Sequence, residues 1–332
     1  MSIRNIRPAI NPFCNMNCRY CSNSSNTGYA KMEDFRRGPI SSGVLSTDQW
    51  LQIFKCFYDA GFRGISLTGG EPTLNPDWLS MLKYCKDLGY VSTELTSNLL
   101  TLDRYKKQLP DVDYITKFKV SLDTFDKKRF HYLTRVDALE NVLSNINYLV
   151  GLGFNVQLNR VTMRSTQEEL VEYVEQASKL NVRSIKLLDL VYYKGCSSNN
   201  SINEWINEFI SSEFTWLYLK NHVKGLGAME PDQRYGWQTS YRKMGIILKD
   251  SKLTKRSKRC QTCLLYCQEG IFTVRIASDG TISTCPDYKN ELPYIDGVKT
   301  LQDNSLTERL KNNFEEFKIE EGYHFDEYVR KL

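Results

Sequence analysis

Residues 61–72 read Gly61-Phe62-Arg63-Gly64-Ile65-Ser66-Leu67-Thr68-Gly69-Gly70-Glu71-Pro72. Gly61 stands where a helical pattern hands over to an extended one, as glycines closing helices commonly do. The run 64–68 is apolar and strand-sized, and a glycine pair ends it. Upstream, Ser46-x-x-Gln49 reads as a capping box that starts a helix over 47–60. The unit is therefore helix, strand, glycine-rich loop.

The same unit recurs outward from it. Strand-like runs lie at 7–10, 91–96, 115–122, 155–161 and 184–191. Helix patterns lie between them at 76–88, 102–109, 138–150 and 167–180. In the first of these, Trp78, Met81, Leu82, Cys85 and Leu88 share one face at helical spacing. Gly89 and Gly153 repeat the role of Gly61. Six strands separated by helices imply right-handed parallel crossovers. The expected fold class is α/β, a partial (β/α)6 barrel of the TIM type whose strand C-terminal ends carry the chemistry.

The barrel is expected over residues 1–195. A linker and helical segment follows at 196–225, where Lys194 and Gly195 lead into polar residues and 202–222 is aromatic-rich. Residues 226–332 form a smaller C-terminal domain, in which 272–276 and 281–285 make a hairpin turning at Asp279-Gly280. A helix over 301–317 lies near the end.

With 41% hydrophobic residues, the 332-residue chain can bury a core. Its apolar stretches fall short of the ~20 residues that span a bilayer. Met1 to Ile10 has no apolar h-region, so no secretory signal is expected and the location is cytoplasmic. A net charge of +5 is mild, and argues against specific nucleic-acid binding. Ten cysteines are more informative. Seven fall into two tight groups, which without an export signal points to metal before disulfides.

Cys14-x3-Cys18-x2-Cys21 follows the first strand directly. Three thiolates on a short loop can ligate three irons of a [4Fe–4S] cubane and leave the fourth open. A structural zinc site normally takes four ligands in paired groups, which this triplet does not supply. Cys260-x2-Cys263-x3-Cys267-x17-Cys285 offers four ligands, for a second [4Fe–4S] cluster or for an all-cysteine zinc knuckle.

These motifs resemble those of the radical S-adenosylmethionine (SAM) superfamily. Tyr20 holds the aromatic place before the third cysteine. Thr68-Gly69-Gly70-Glu71-Pro72 resembles the family's Gly-Gly-Glu-Pro motif, in which backbone and Glu71 would hold the SAM amino group. Thr96-Ser97-Asn98, and Ser121 with Asp123 in VSLD, resemble segments that contact the SAM carboxylate and ribose. Asn159 on the fifth strand is a further contact. The resemblance implies an enzyme that reductively cleaves SAM and abstracts a hydrogen atom from its substrate, with flavodoxin or ferredoxin as electron donor.

Within the superfamily, the chain resembles the GTP 3′,8-cyclases of molybdenum-cofactor biosynthesis and relatives with a twitch- or SPASM-type auxiliary-cluster domain. RCQTC and RIASDGTISTC look like the two halves of that second site. The departures are specific. The cyclases' two basic second-strand residues match Gly64 and Ser66, and their fifth-strand lysine matches Gln157. Arg7, Lys186 and Arg275 keep basic positions, which favours a nucleotide or a phosphorylated sugar as small-molecule substrate.

A maturase of ribosomal peptides is the alternative, for a crosslink, thioether or epimer on a short peptide. Against it, only 13 residues precede Cys14, where such enzymes often carry a leader-binding extension. A non-enzymatic metal-binding module is a third reading. Cys196 in the linker is the candidate hydrogen-atom donor. Cys56 and Cys85 read as core residues, and Glu94 and Asp189 as cavity candidates within strands.

Overall fold

The computed structural model describes residues 4–21, 44–190, 202–232, 236–249, 273–283 and 295–314. Helices and strands alternate through the first half: β1 (Asn5–Pro8), α1 (Thr47–Asp59), β2 (Gly64–Leu67), α2 (Trp78–Leu88), β3 (Ser92–Ser97), β4 (Lys117–Ser121), α3 (Lys127–Thr134), α4 (Leu139–Gly151), β5 (Val156–Thr162), α5 (Leu170–Lys179) and β6 (Ser184–Asp189). Two helices follow, α6 (Ile202–Glu208) and α7 (Ser212–His222). Then come β7 (Glu230–Asp232), β8 (Gly236–Tyr241), β9 (Met244–Lys249), β10 (Thr273–Ile276), β11 (Thr281–Ser283), β12 (Ile295–Asp296), α8 (Gly297–Gln302) and α9 (Leu306–Phe314).

All the strands join one sheet, ordered β12-β11-β10-β1-β2-β3-β4-β5-β6-β9-β8-β7. Strands β1 to β6 run parallel to their neighbours, as crossovers through helices require. The later strands extend both edges. β10 pairs parallel with β1, and β9 pairs parallel with β6. Among the described residues the pairing does not close into a ring.

The two faces of this sheet are chemically different. Ile6, Leu95, Phe118, Val120, Ile185 and Leu187 point to one side and are buried in a single core with Trp50, Phe54, Trp78 and Leu82 of the helices. The residues alternating with them, Arg7, Glu94, Lys119 and Lys186, are half-buried on the opposite side. A sheet covered on both faces reads as continuous apolar runs. Here the alternation survives because the second face lines polar space.

The local signals behave as their chemistry predicts. Ser46 Oγ accepts from the Gln49 amide, and the Gln49 side chain accepts from the Ser46 amide. Ser46→Ala is expected to destabilise the protein by about 1 kcal/mol, read from urea unfolding. Gly61, Gly89 and Gly153 take φ of +92°, +103° and +83° at helix ends.

Three expected helices change, and one is added. Residues 102–109 form two short 3₁₀ turns, Leu102–Tyr105 and Leu109–Asp111, because Pro110 blocks a continuing α-helix. Lys127–Thr134 adds a helix, capped by Asp126 accepting from the Arg129 amide. The stretch 202–222 breaks in two, since Ser211 caps α7 by accepting from the Phe214 amide. The C-terminal helix is also two, α8 and α9. Strands β7 to β9 were not foreseen, and β8 and β9 turn at Arg242, φ +55°. The hairpin of β10 and β11 turns through Gly280 as expected. Cys196, Cys260, Cys263, Cys267 and Cys285 lie outside the described residues.

Candidate active site

The loop from Pro12 to Cys21 leaves β1 at its C-terminal end and is held on two sides. On one side, the Asn17 amide donates to the Thr134 carbonyl at 3.1 Å, and the Arg19 amide to the Leu133 carbonyl at 2.9 Å. These acceptors belong to the last turn of α3, where helix carbonyls lack internal partners. On the other side, Gly69 and Gly70 lie against the loop backbone. The Gly70 amide donates to the Asn11 carbonyl at 2.7 Å, and the Glu71 amide to Phe13 at 2.6 Å. A Cβ on Gly69 would stand 2.3 Å from the Asn11 oxygen, and one on Gly70 2.1 Å from the Phe13 oxygen. No side chain fits there, so both glycines are required for this approach.

Glu71 is the node between the two loops. Its side chain is 1% exposed. One carboxylate oxygen accepts from the Thr73 amide at 3.0 Å, the Thr73 hydroxyl at 2.5 Å and the Ser97 hydroxyl at 2.7 Å. The other accepts from the Asn98 amide at 2.8 Å. Burial raises its pKa, and these hydrogen bonds oppose the rise. Asn98 in turn donates to Asn15 at 2.7 Å and approaches the Cys14 sulfur at 3.9 Å. Glu71 thus ties the ends of β2 and β3 to the cysteine loop.

The three thiols sense one another. Burial pushes Cys14 up to about 12, with Glu71 and then Cys21 adding to the rise. Cys18 is raised by burial and by its neighbours Cys21 and Cys14. Among the described residues no three His, Cys, Asp or Glu side chains are grouped to hold a single ion. Thiolates that each serve a different iron of a cubane need not meet at one point. Three half-buried cysteines on one short loop, within electrostatic reach of each other, fit such a cluster. As ligands they would serve as thiolates, so loading a cluster would release their protons.

Tyr20 donates its phenol proton to Asp123, just beyond β4. Asp123 is buried, and its second oxygen accepts from the Val161 amide at 2.8 Å. Beside Tyr20 lies a small recess, with room for about one water, lined by Tyr132, Leu133, Met163, Leu190 and Trp205, with Arg19 and Glu208 at its polar positions.

The remaining expected residues are distributed by register. Ser121 and Asn159 are paired on β4 and β5, on the polar face. Asn159 accepts from the Gln157 side chain at 2.8 Å. Thr96 lies 3.4 Å from Ser66, while Ser97 turns the other way to Glu71. Arg7 and Arg275 are direct neighbours on β1 and β10. Lys186 is beside Asn159, with β2 to β5 between it and Arg7. Glu94 does face the polar side, in an ion pair with Lys119 and 3.7 Å from Lys117. Asp189 does not. It points to the helix side and accepts from Ser212 of α7, because its neighbours Ile185 and Leu187 fix that parity.

Sequence reasoning missed Lys119, whose alternation in Lys117-Phe118-Lys119 was the available signal. Burial lowers its pKa, and the charge of Glu94 opposes the drop. It also missed the structural part of Asn11, which donates to the Glu71 carbonyl at 3.0 Å.

The comparisons with known proteins agree with this geometry. Probable GTP 3′,8-cyclase of Saccharolobus islandicus is 30% identical over 191 residues, 57% of each chain, so this chain spans little more than half of that relative's length. GTP 3′,8-cyclase of Limosilactobacillus fermentum is 25% identical over 297 residues, 86% of this chain and 80% of the cyclase. Among solved structures, Streptococcus suis SuiB bound to S-adenosylmethionine superposes with a TM-score of 0.65 at 16% identity, over 94% of this chain and 67% of SuiB. The model of the radical SAM superfamily matches residues 9–177, from just after β1 into α5. That match takes in half of the chain, the cysteine loop and the glycine turn included, and the chain therefore belongs to the radical SAM superfamily of enzymes.

Proposed function

We propose that this enzyme modifies a peptide. The observation that carries the reading is fold likeness across nearly the whole chain to SuiB, including SuiB bound to its precursor peptide SuiA, with a TM-score of 0.62 over 94% of this chain. A peptide is an extended ligand, and the sheet offers it a long polar face.

Cys14, Cys18 and Cys21 would hold the cluster, and Gly69, Gly70, Ser121 and Asn159 border the space for SAM. When bound, the pair supplies a 5′-deoxyadenosyl radical that takes a hydrogen atom from the substrate. The chain's own part is positional. Glu71 and Asn98 fix the loop that carries Cys14. Tyr20, Met163 and Leu190 line the recess beside the cysteine loop. Cys260, Cys263, Cys267 and Cys285 are proposed to hold an auxiliary [4Fe–4S] cluster, Cys196 to return a hydrogen atom, and flavodoxin or ferredoxin to supply electrons.

A nucleotide or phosphorylated sugar is the second reading, favoured by one specific observation. Arg7 and Arg275 sit side by side on the polar face, where a phosphate could take both. The readings separate in one assay: 5′-deoxyadenosine yield of the anaerobically reconstituted, reduced protein, with Cys-, Trp- and Arg-rich synthetic peptides or with nucleotides and sugar phosphates. A rise of at least about tenfold with a peptide, with a mass change in that peptide, is expected. A rise with a phosphorylated compound alone overturns the peptide reading.

A further inference from the structure

The bond between Tyr20 and Asp123 joins the cysteine loop to the end of β4, next to the third cysteine. Asp123 is 5% exposed and divides its two oxygens between Tyr20 and the Val161 amide of β5. A carboxylate removed from water this far needs a counter-charge. Arg160, one residue before Val161 on β5, is the cation whose charge reaches it. It is 1% exposed and points to the opposite side of β5.

The surroundings of Arg160 show what it is not for. One nitrogen donates to the Thr166 carbonyl, and the guanidinium lies 4.5 Å over the Tyr173 ring. Its Nε and Nη1 have no hydrogen-bond partner among the described residues. Leaving them unmet costs roughly 1–3 kcal/mol each, so hydrogen bonding alone does not account for a charge at this place. Burial raises the pKa of Asp123, and the bonds from Tyr20 and Val161 and then the charge of Arg160 oppose the rise; burial lowers that of Arg160, opposed by Tyr173, Asp123 and Glu169. Tyr173 completes the link by donating to the Leu122 carbonyl at 2.7 Å, one residue before Asp123.

We propose that Asp123 and Arg160 are a positioning pair: Asp123 pins Tyr20, and with it residues 18–21, while Arg160 supplies from behind the sheet the charge that keeps Asp123 in place. The inference rests on the SAM-cleaving reading of the site. Asp123 then acts through Tyr20, and the SAM contacts fall to Ser121 and the glycine loop.

Two measurements test the pair. The first is amide hydrogen exchange in the metal-free protein, which needs no SAM. In Asp123→Asn, Arg160→Met and Tyr20→Phe, exchange at Arg19 and Cys21 is expected to speed by about tenfold, with α1 and α2 unchanged. The second is equilibrium dialysis of SAM with reconstituted protein of equal iron content. Asp123→Asn and Arg160→Met should each weaken SAM by about tenfold, and the double variant no more than the weaker single. Arg160→Lys, which keeps the charge, should stay within about threefold. Additive losses in the double variant, or unchanged exchange in Tyr20→Phe, overturn the proposal. Should Arg160→Met not fold, Tyr20→Phe and Asp123→Asn decide it by exchange. A wild type that binds no SAM refutes the SAM reading and leaves the exchange result standing.

Discussion

Gly70→Ala is expected to lower the melting temperature by roughly 10 °C and to prevent cluster loading. The new methyl carbon would stand 2.1 Å from the Phe13 oxygen and 2.9 Å from the Cys14 nitrogen. Both are backbone atoms, so no side chain can rotate away. Either the cysteine loop or the end of β2 must move, and a clash of this kind belongs to the rare substitutions that cost above about 4 kcal/mol. At about 2–4 °C per kcal/mol for a domain of this size, that sets the size of the shift. Gly151→Ala is the control. Nothing lies within 4 Å of its added carbon, and stability should stay within about 0.5 kcal/mol. Thermal melts and iron content of both variants give the answer, and a Gly70→Ala protein that loads iron normally would contradict the contact.

Glu71→Ala should cost about 2–5 kcal/mol. Two backbone donors, at Thr73 and Asn98, lose their acceptor in a fully buried place, at about 1–3 kcal/mol each. The Ser97 hydroxyl can turn to another partner and adds little. Glu71→Gln should cost less, near 1–2 kcal/mol, because one oxygen still serves Thr73 and Ser97 while the amide nitrogen faces the Asn98 amide, donor against donor. Urea unfolding of the metal-free proteins measures both. Equal losses for Ala and Gln would mean that the hydrogen bonds are not the source of the stability.

The parallel strands were legible because each carries a period that sequence alone displays. Leu95, Phe118, Ile185 and Leu187 alternate with polar partners, and glycines mark the helix ends. The cysteine loop and the Gly-Gly-Glu-Pro turn were legible because few other uses exist for those residues at those spacings.

What escaped had weak local signals. β8 and β9 are joined by Arg242-Lys243, where a hairpin turn usually shows Gly or Asn. The helix α3 is eight residues long and highly charged, with little apolar face to betray it. Asp189 lay in a recognised strand, yet which face it took depended on parity counted from Ile185. Arg160 was invisible for another reason. Its meaning comes from Asp123, 37 positions earlier, and only the parallel pairing of β4 with β5 brings the two together.

The central claim is that Cys14, Cys18 and Cys21 support SAM cleavage. The direct measurement is 5′-deoxyadenosine released from SAM by the anaerobically reconstituted, dithionite-reduced protein, beside Cys18→Ala. The account predicts slow but clear release by the wild type, and none above the no-enzyme blank for Cys18→Ala. No release by a wild type that carries its full iron and sulfide would contradict it.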